Sequence, residues 1–361
     1  MRLVYITNTI SGAGGIQRIL AIKANYLVAH KNYDVTIIVT NAKTEEPIRY
    51  NFHSDIKIFT ITPNRSLLSY YSSYKKLIKS TLKALNPNII VMCDNGLKSF
   101  LLPKFIKHQY PVVYEMHVSK QIILSSYGIF KGLVSKYMQH YASRYDKFVV
   151  LTNSGLKEWK LNNANVIPNP TWIVNPSVSN LHNKIAVALG RQVREKGYDR
   201  MLQAWKIVVD KHPDWTLKIY GDSNTDYDIS KITEELNITK NVLFCEPNTN
   251  VEAVFEAASI NLLASRYEGF GMVLLEAAAC GVPSVAFDCP VGPKNIITDG
   301  KDGLLITDGD IEAFASAVEK LIQDEELRIE MGKNAIQKAK QFAIAPIMEQ
   351  WDTLFKSLVK N

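Results

Sequence analysis

Two glutamates, Glu268 and Glu276, stand eight positions apart in the stretch SRYEGFGMVLLEAAACGVPSVA, residues 265–286, on either side of a Gly-Phe-Gly turn. On one continuous helix eight steps of ~100° leave two side chains ~80° apart, so a shared helical face does not join them. A strand, INLLAS (260–265), followed by a glycine turn and a helix, MVLLEAAAC (272–280), does. The glycines allow unusual backbone angles, and Gly281 and Pro283 stop the helix. Glu268 then sits on the loop at the strand end and Glu276 about one turn into the helix. Both can face a ligand lying over the helix N-terminus. Its unpaired N–H groups and positive dipole end favour phosphate, and a carboxylate beside it can accept two hydrogen bonds from a sugar diol.

The elements that must position these groups form two series. The first alternates strand-like runs with helical patterns: RLVYIT (2–7), DVTIIVT (34–40), NIIVMC (88–93), PVVYEMH (111–117) and KFVVLTN (147–153). Short β-branched runs spaced by helix-length segments imply a parallel sheet with helices on both faces. Two prolines and an asparagine in NVIPNP (165–170) break the periodicity and read as a linker. The pattern restarts with KIAVALG, TLKIYGD, NVLFCEP, INLLAS and PSVAFD, interleaved with helices near 197, 229–236, 251–258 and 272. The fold class is therefore α/β, with two doubly wound Rossmann-like domains facing a cleft that takes the ligand at the carboxyl ends of the strands. The expected divisions are 1–168, 169–340 and a C-terminal helix, 341–361.

The run E-G-F-G-x-x-x-L-E-A-x-A-x-G-x-P, from Glu268 to Pro283, resembles the E-x7-E signature of retaining GT-B glycosyltransferases of the large family four. The resemblance covers most of the chain and is strongest over about 186–306. It implies a C-terminal donor domain in which Glu276 binds the nucleotide ribose and Glu268 lies beside the donor sugar. It implies further that the Gly269-Phe270-Gly271 backbone meets the sugar hydroxyls and that Met272 and Val273 offer N–H groups near the diphosphate. In ALGRQVREKGYD the family's diphosphate cations correspond to Arg191 and Lys196. A guanidinium fork and a mobile ammonium suit a diphosphate whose charge grows as it leaves. SGAGGIQR looks like the family's N-terminal glycine loop, where Gly14 and Gly15 would close over the diphosphate. His117, at a strand end, matches a histidine that reaches the donor sugar, and backbone around Cys245 to Pro247 would read the base. The C-terminal segment FAIAPIMEQWDTLFKSLV would pack back on an N-terminal acceptor domain.

No cofactor and no metal are expected. Asp226 and Asp228 form a D-x-D, the metal motif of the other major glycosyltransferase fold, but in GDSNTDYDISK an aspartate more naturally caps a helix. The scattered cysteines, Cys93, Cys245, Cys280 and Cys289, have no partner at metal-ligand spacing and point to reduced thiols in the cytoplasm. The N-terminus reads as a first strand and not as a signal peptide, and no apolar run approaches the ~18 residues of a spanning helix.

Of the net charge of +7, residues 1–170 carry 22 Lys/Arg against 8 Asp/Glu, and the remainder 20 against 27. A first half this basic faces something anionic. Two Tyr-rich, Lys-flanked helical patterns, 67–85 and 127–147, fit helices resting on an anionic membrane surface, while ordinary amphipathic helices covering the sheet explain the apolar stripe equally well. The expected acceptor is a glycan on a lipid diphosphate, with the enzyme peripheral on the inner face of the cytoplasmic membrane. No nucleic-acid-binding signature is present. The reading is a hexosyl or N-acetylhexosaminyl transferase using a nucleotide diphosphate sugar, with UDP expected. The rivals are a sugar-nucleotide epimerase on the same scaffold and a non-catalytic nucleotide-sugar binding protein.

Overall fold

The computed structural model of the protein describes residues 1–12, 14–41, 47–64, 66, 69–106, 108–223, 226–248 and 250–359. The chain divides into two units, one of Met1–Pro170 with Ala345–Asn361 and the other of Thr171–Ile344. These limits lie two and four residues beyond the expected ones. The reason is local: Thr171 donates its N–H to the Phe342 carbonyl at 2.7 Å, and Phe342 packs edge-on to Phe270.

The first unit is built on strands β1 (Arg2–Thr7), β2 (Asp34–Val39), β3 (Lys57–Thr60), β4 (Ile89–Met92), β5 (Val112–Met116), β6 (Lys147–Val150) and β7 (Ala164–Val166). They pair in parallel in the order β3-β2-β1-β4-β5-β6-β7, so the winding reverses between β1 and β4. The central strands are apolar runs buried on both faces, as IIVM of β4 illustrates. Edge strands β3 and β7 escape sequence reading: β3 is exposed along its length, and β7 is three residues long. The helix Ile344–Leu358 buries Ile347, Met348, Trp351 and Phe355, and the Tyr33 hydroxyl donates to Asp352 at 2.6 Å.

In this unit part of each aromatic stripe packs on the core of the sheet. The helix Tyr70–Leu85 buries Tyr74, Ile78 and Leu82, four positions apart, and leaves Lys75, Lys76, Lys79 and Lys83 exposed. Full burial of such a side chain contributes on the order of 2 kcal/mol, enough to orient the helix. Leu67, the expected start of this helix, lies outside the described residues. The segment 127–147 folds as a short 3-10 turn, Gly128–Phe130, and a helix, Lys131–Ala142. Its Tyr145 is buried and Tyr137 donates to the Leu97 carbonyl at 3.0 Å, so these tyrosines are interior groups. Among the described residues no helix is long and apolar enough to cross a membrane.

The second unit carries β8 (Ile185–Leu189), β9 (Thr216–Tyr220), β10 (Val242–Cys245), β11 (Ile260–Leu263), β12 (Ser284–Phe287) and β13 (Gly303–Ile306). The order β10-β9-β8-β11-β12-β13 is again parallel and doubly wound, with its reversal between β8 and β11. Helices such as Tyr198–Lys211 and Ile311–Gln323 cover one face through Trp205, Val208, Phe314 and Leu321. Because every pair is parallel, all strand C-termini of this unit emerge at one edge of the sheet.

Candidate functional site

At that edge the loop after β11 carries Glu268. Its Oε1 accepts from Lys196 Nζ at 2.7 Å and from Ser265 Oγ at 2.7 Å. Lys196 closes the 3-10 turn Arg194–Lys196 after β8, the strand beside β11. Gly197 makes the approach possible. It has φ 67°, and a Cβ there would lie 2.0 Å from the Ala264 carbonyl oxygen, so no other residue fits.

Two arginines strap the two loops together. Arg200 donates to the Ala264 carbonyl at 2.8 Å and the Ser265 carbonyl at 2.7 Å, and pairs with Asp308 at 2.7 Å. Arg266 forks onto Asp199 at 2.8 and 2.7 Å and also reaches the Arg194 carbonyl. Burial pushes the Asp199 carboxyl up, but hydrogen bonds from Arg266 and Tyr227 outweigh it and hold the carboxyl at about 2. Burial, then the Glu268 and Asp308 charges, push the nearby Cys289 thiol up to about 12, which keeps it an unreactive thiol.

The helix Met272–Ala279 begins at Gly271, whose φ of 96° turns the chain from loop to helix. No side chain caps this start and no acidic residue lies in its first turn. The N–H groups of Met272 and Val273 are therefore the open donors that an anion needs. Glu276 is buried on this helix, and its Oε1 accepts from Trp172 Nε1 at 2.8 Å. Phe270 turns its ring inward against Phe342, so Gly269, Phe270 and Gly271 present backbone only. Gly292 lies against the same loop: a Cβ there would stand 2.6 Å from Glu268 Cβ.

Arg191 follows β8 with an exposed side chain and forms no ion pair among the described residues. Pro247 is exposed beyond β10, three strands from β11, or ~14 Å along the sheet edge at ~4.8 Å per strand. Asp228 caps the helix Ile229–Glu235 by accepting from Ser230 N at 3.0 Å, the role its polar surroundings suggested.

The first unit holds the remaining predicted residues. Gly14 and Gly15 open the helix Gly15–Lys31; Gly14 has an ordinary extended φ of −69°, and a Cβ at Gly15 would meet nothing within 4 Å. At Gly14 a Cβ would lie 2.3 Å from Gln17 Oε1, so its bareness makes room for that side chain; neither glycine is demanded by backbone strain, and Ala13 lies outside the described residues. His117, at the end of β5, is nearly enclosed. Its Nε2 stands 3.5 Å from Glu115 Oε1, and burial lowers its pKa, keeping the imidazole neutral. The fold also joins Cys93, Glu115 and His117 from adjacent β4 and β5, a metal-ligand trio that sequence spacing did not reveal. Lys23 already fills the cationic role there, with Nζ 2.5 Å from Glu115 Oε1 and 3.5 Å over the Trp351 ring.

Residues 173–338 match the family model described as Glycosyl transferases group 1. The second unit is a glycosyl transferases group 1 domain. Over nearly the whole chain, similarity extends to an uncharacterized glycosyltransferase of Haemophilus influenzae, 28% identical across 97% of this chain and 98% of that one. The amylovoran biosynthesis glycosyltransferase AmsD of Erwinia amylovora is 26% identical across 98% and 99%. Among solved structures, Anabaena Alr3699/HepE in complex with UDP-glucose aligns with TM-score 0.80 at 17% identity, covering 99% of this chain and 100% of that one. The two Rossmann-like units are those of the GT-B fold.

Within the glycosyl transferases group 1 domain, the structure brings Glu268, Lys196 and the Met272 helix end together and sets Glu276 on the same helix. It leaves Arg191 exposed at the neighbouring strand end. Sequence reading missed Trp172, Ser265, Arg200, Arg266, Asp199 and Gly292. Only the S-R-Y before E-G-F-G hinted at Ser265, three residues from Glu268, and at Arg266; the others act through distant partners that no local pattern marks.

Proposed function

We propose that this chain is a retaining, metal-independent glycosyltransferase of family four. It moves a hexose or N-acetylhexosamine from a nucleotide diphosphate sugar, UDP being the first candidate, to a lipid-linked glycan in surface polysaccharide biosynthesis. The enzyme works as a peripheral protein on an anionic membrane surface at the cytoplasmic face. The observation that carries this reading is the Lys196–Glu268 pair beside the uncapped helix Met272–Ala279, which also carries Glu276. Relatives acting in amylovoran synthesis and on poly(ribitol-phosphate) support the polysaccharide assignment, and UDP-glucose in a fold neighbour supports the donor.

In this reading Glu276 holds the ribose diol, with its carboxylate oriented by Trp172. The diphosphate lies over the Met272 and Val273 N–H groups, and Lys196 turns from Glu268 to it, joined by Arg191. As the bond from the anomeric carbon to phosphate breaks, these groups stabilise the departing charge. The acceptor oxygen bonds to the same face of that carbon, and its proton passes to the leaving phosphate oxygen. Glu268 and the 269–271 backbone hold the sugar hydroxyls. Gly14 and Gly15 close over the diphosphate, His117 contacts the donor sugar, and backbone near Pro247 reads the base.

Nucleotide release from UDP-, GDP- and ADP-sugars, with a chelator and with or without a membrane lipid extract, tests this. The expected result is release that needs one donor and the extract, falling roughly a hundredfold or more in Glu268→Gln and Glu276→Ala. Unimpaired release in both variants overturns the site. Binding of a donor without consumption makes the chain a nucleotide-sugar binding protein, and conversion without acceptor makes it an epimerase.

A further inference from the structure

Among the described residues the two most exposed large apolar side chains, Ile129 and Leu133, lie in one short segment of the first unit together with Phe130. Ile129 is 93% exposed, Phe130 60% and Leu133 69%, whereas the tyrosines after them in sequence are packed inward. The 3-10 turn Gly128–Phe130 and the start of the helix Lys131–Ala142 present all three, with Gly128 at φ 48° setting the turn. Isolated exposed apolar residues need no explanation, but three in five positions on one protrusion form a patch.

The exposed charges next to the patch in sequence are one-signed. No acidic residue occurs from Ser119 to Tyr145, and the exposed cations of that span are Lys131, Lys136 and Arg144, whereas Lys120 is buried and its N–H is held by Glu158. Leu133, Lys136 and His140 follow one another at helical spacing (i, i+3, i+7), and all are exposed, so the stripe passes from apolar to basic within two turns. A surface cavity of about 540 Å³ opens on the basic part, lined by Lys136, His140, Ser143, Lys160 and Asn162 among others. The helix Tyr70–Leu85 packs through Tyr70 and Tyr74 on the same core as Tyr137 and Tyr141 of this helix. It adds the exposed Lys75, Lys76, Lys79 and Lys83.

From this arrangement we infer that Ile129, Phe130 and Leu133 form a wedge that enters the acyl region of an anionic bilayer, while Lys131, Lys136 and the adjacent cavity engage the lipid headgroups. Apolar side chains at the tip with lysines behind them match the depth profile of an interface, where hydrocarbon lies below the anionic phosphates. A soluble acidic protein would match the lysines and leave the wedge unburied. This inference rests on the membrane-bound acceptor proposed above and specifies where the enzyme grips that surface.

The test uses the full chain with vesicles of phosphatidylcholine, with and without phosphatidylglycerol, and no donor or acceptor, so its outcome is independent of the catalytic reading. The wild type is expected to sediment with the anionic vesicles only. The emission of the Phe130→Trp variant should shift to the blue on binding and be quenched by lipids brominated on the acyl chain. The triple variant Ile129→Ser/Phe130→Ser/Leu133→Ser changes only exposed positions and should lose binding roughly tenfold or more, with its unfolding midpoint unchanged. Unshifted emission, or full binding by the triple variant, overturns the wedge and leaves at most lysine attraction. Self-association in sedimentation velocity that the triple variant abolishes overturns it in favour of a contact between copies of this chain.

Discussion

The Lys196–Glu268 pair of the second unit keeps 24% and 11% of its side-chain surface in solvent, whereas Lys23 and Glu115 of the first unit keep 1% and 2%. The same two residue types thus meet in two environments. Lys196 comes from a loop, and among the described residues its ammonium is held by Glu268 alone, so an arriving diphosphate can compete for it. Lys23 is sealed between Glu115 and the Trp351 ring, and Glu115 also accepts from Cys93 at 3.3 Å. Burial would raise the Glu115 pKa, but the Lys23 charge and the hydrogen bonds from Lys23 and Cys93 outweigh it and keep the carboxylate charged. An ion pair that solvent reaches can change partners; one that solvent cannot reach holds helix, strand and C-terminal helix of its own unit together.

The sharpest way to break this comparison is to remove each lysine. Lys23→Met leaves Glu115 charged and buried without a cation, so urea unfolding should show a loss of about 3–5 kcal/mol, much of it recovered by adding Glu115→Gln. Lys196→Met should cost under about 1 kcal/mol of stability yet lower turnover roughly a hundredfold. Equal unfolding midpoints for the two variants would erase the distinction. A smaller effect is expected at Trp172→Phe, which deletes the N–H held by Glu276. Donor KM should rise about tenfold with kcat nearly unchanged, as for loss of one hydrogen bond to a charged group; a fall in kcat alone would move Trp172 from donor binding to chemistry.

The straps around the open pair predict an acid response. With its folded pKa held at about 2 against an ordinary 3.8, Asp199 adds stability that is complete above pH ~4 and is lost as pH falls through about 2. Because the side chain is 30% exposed, the contribution is on the order of 1 kcal/mol after screening. In Arg266→Ala the stability difference from wild type should therefore shrink between pH 4 and 2; a constant difference would mean that Arg266 acts through the Arg194 carbonyl alone. The least effect belongs to Asp228→Ala. Losing the cap on Ser230 should lower Tm slightly, while turnover in chelator stays at the wild-type level, and a loss of turnover there would restore the D-x-D to the chemistry.

Much of this protein was legible because its signals are local. Apolar β-branched runs announced the central strands, and E-G-F-G before a helix former announced the loop and the helix carrying Glu268 and Glu276. The amphipathic patterns at 67–85 and 127–147 were read correctly as helical, but which of their side chains meet the sheet was not legible, because an apolar stripe reports that a face is buried and not what buries it. Tyr74, Ile78 and Leu82 went to the sheet, and the exposed apolar groups turned out to be Ile129, Phe130 and Leu133. Edge strands β3 and β7 lacked a signal altogether, since an exposed or three-residue strand needs no apolar run.

By itself the sequence determined which segments become strands and helices and which short runs carry phosphate-binding helix ends and carboxylates, because those depend on residues a few positions apart. Tertiary structure alone decided who meets whom. Trp172 finds Glu276 across 104 positions, Lys196 finds Glu268 across 72, and Lys23 finds Glu115 across 92. Such partners are chosen by strand order and by the desolvation cost of leaving a buried charge alone, and neither is written in the spacing of neighbouring residues.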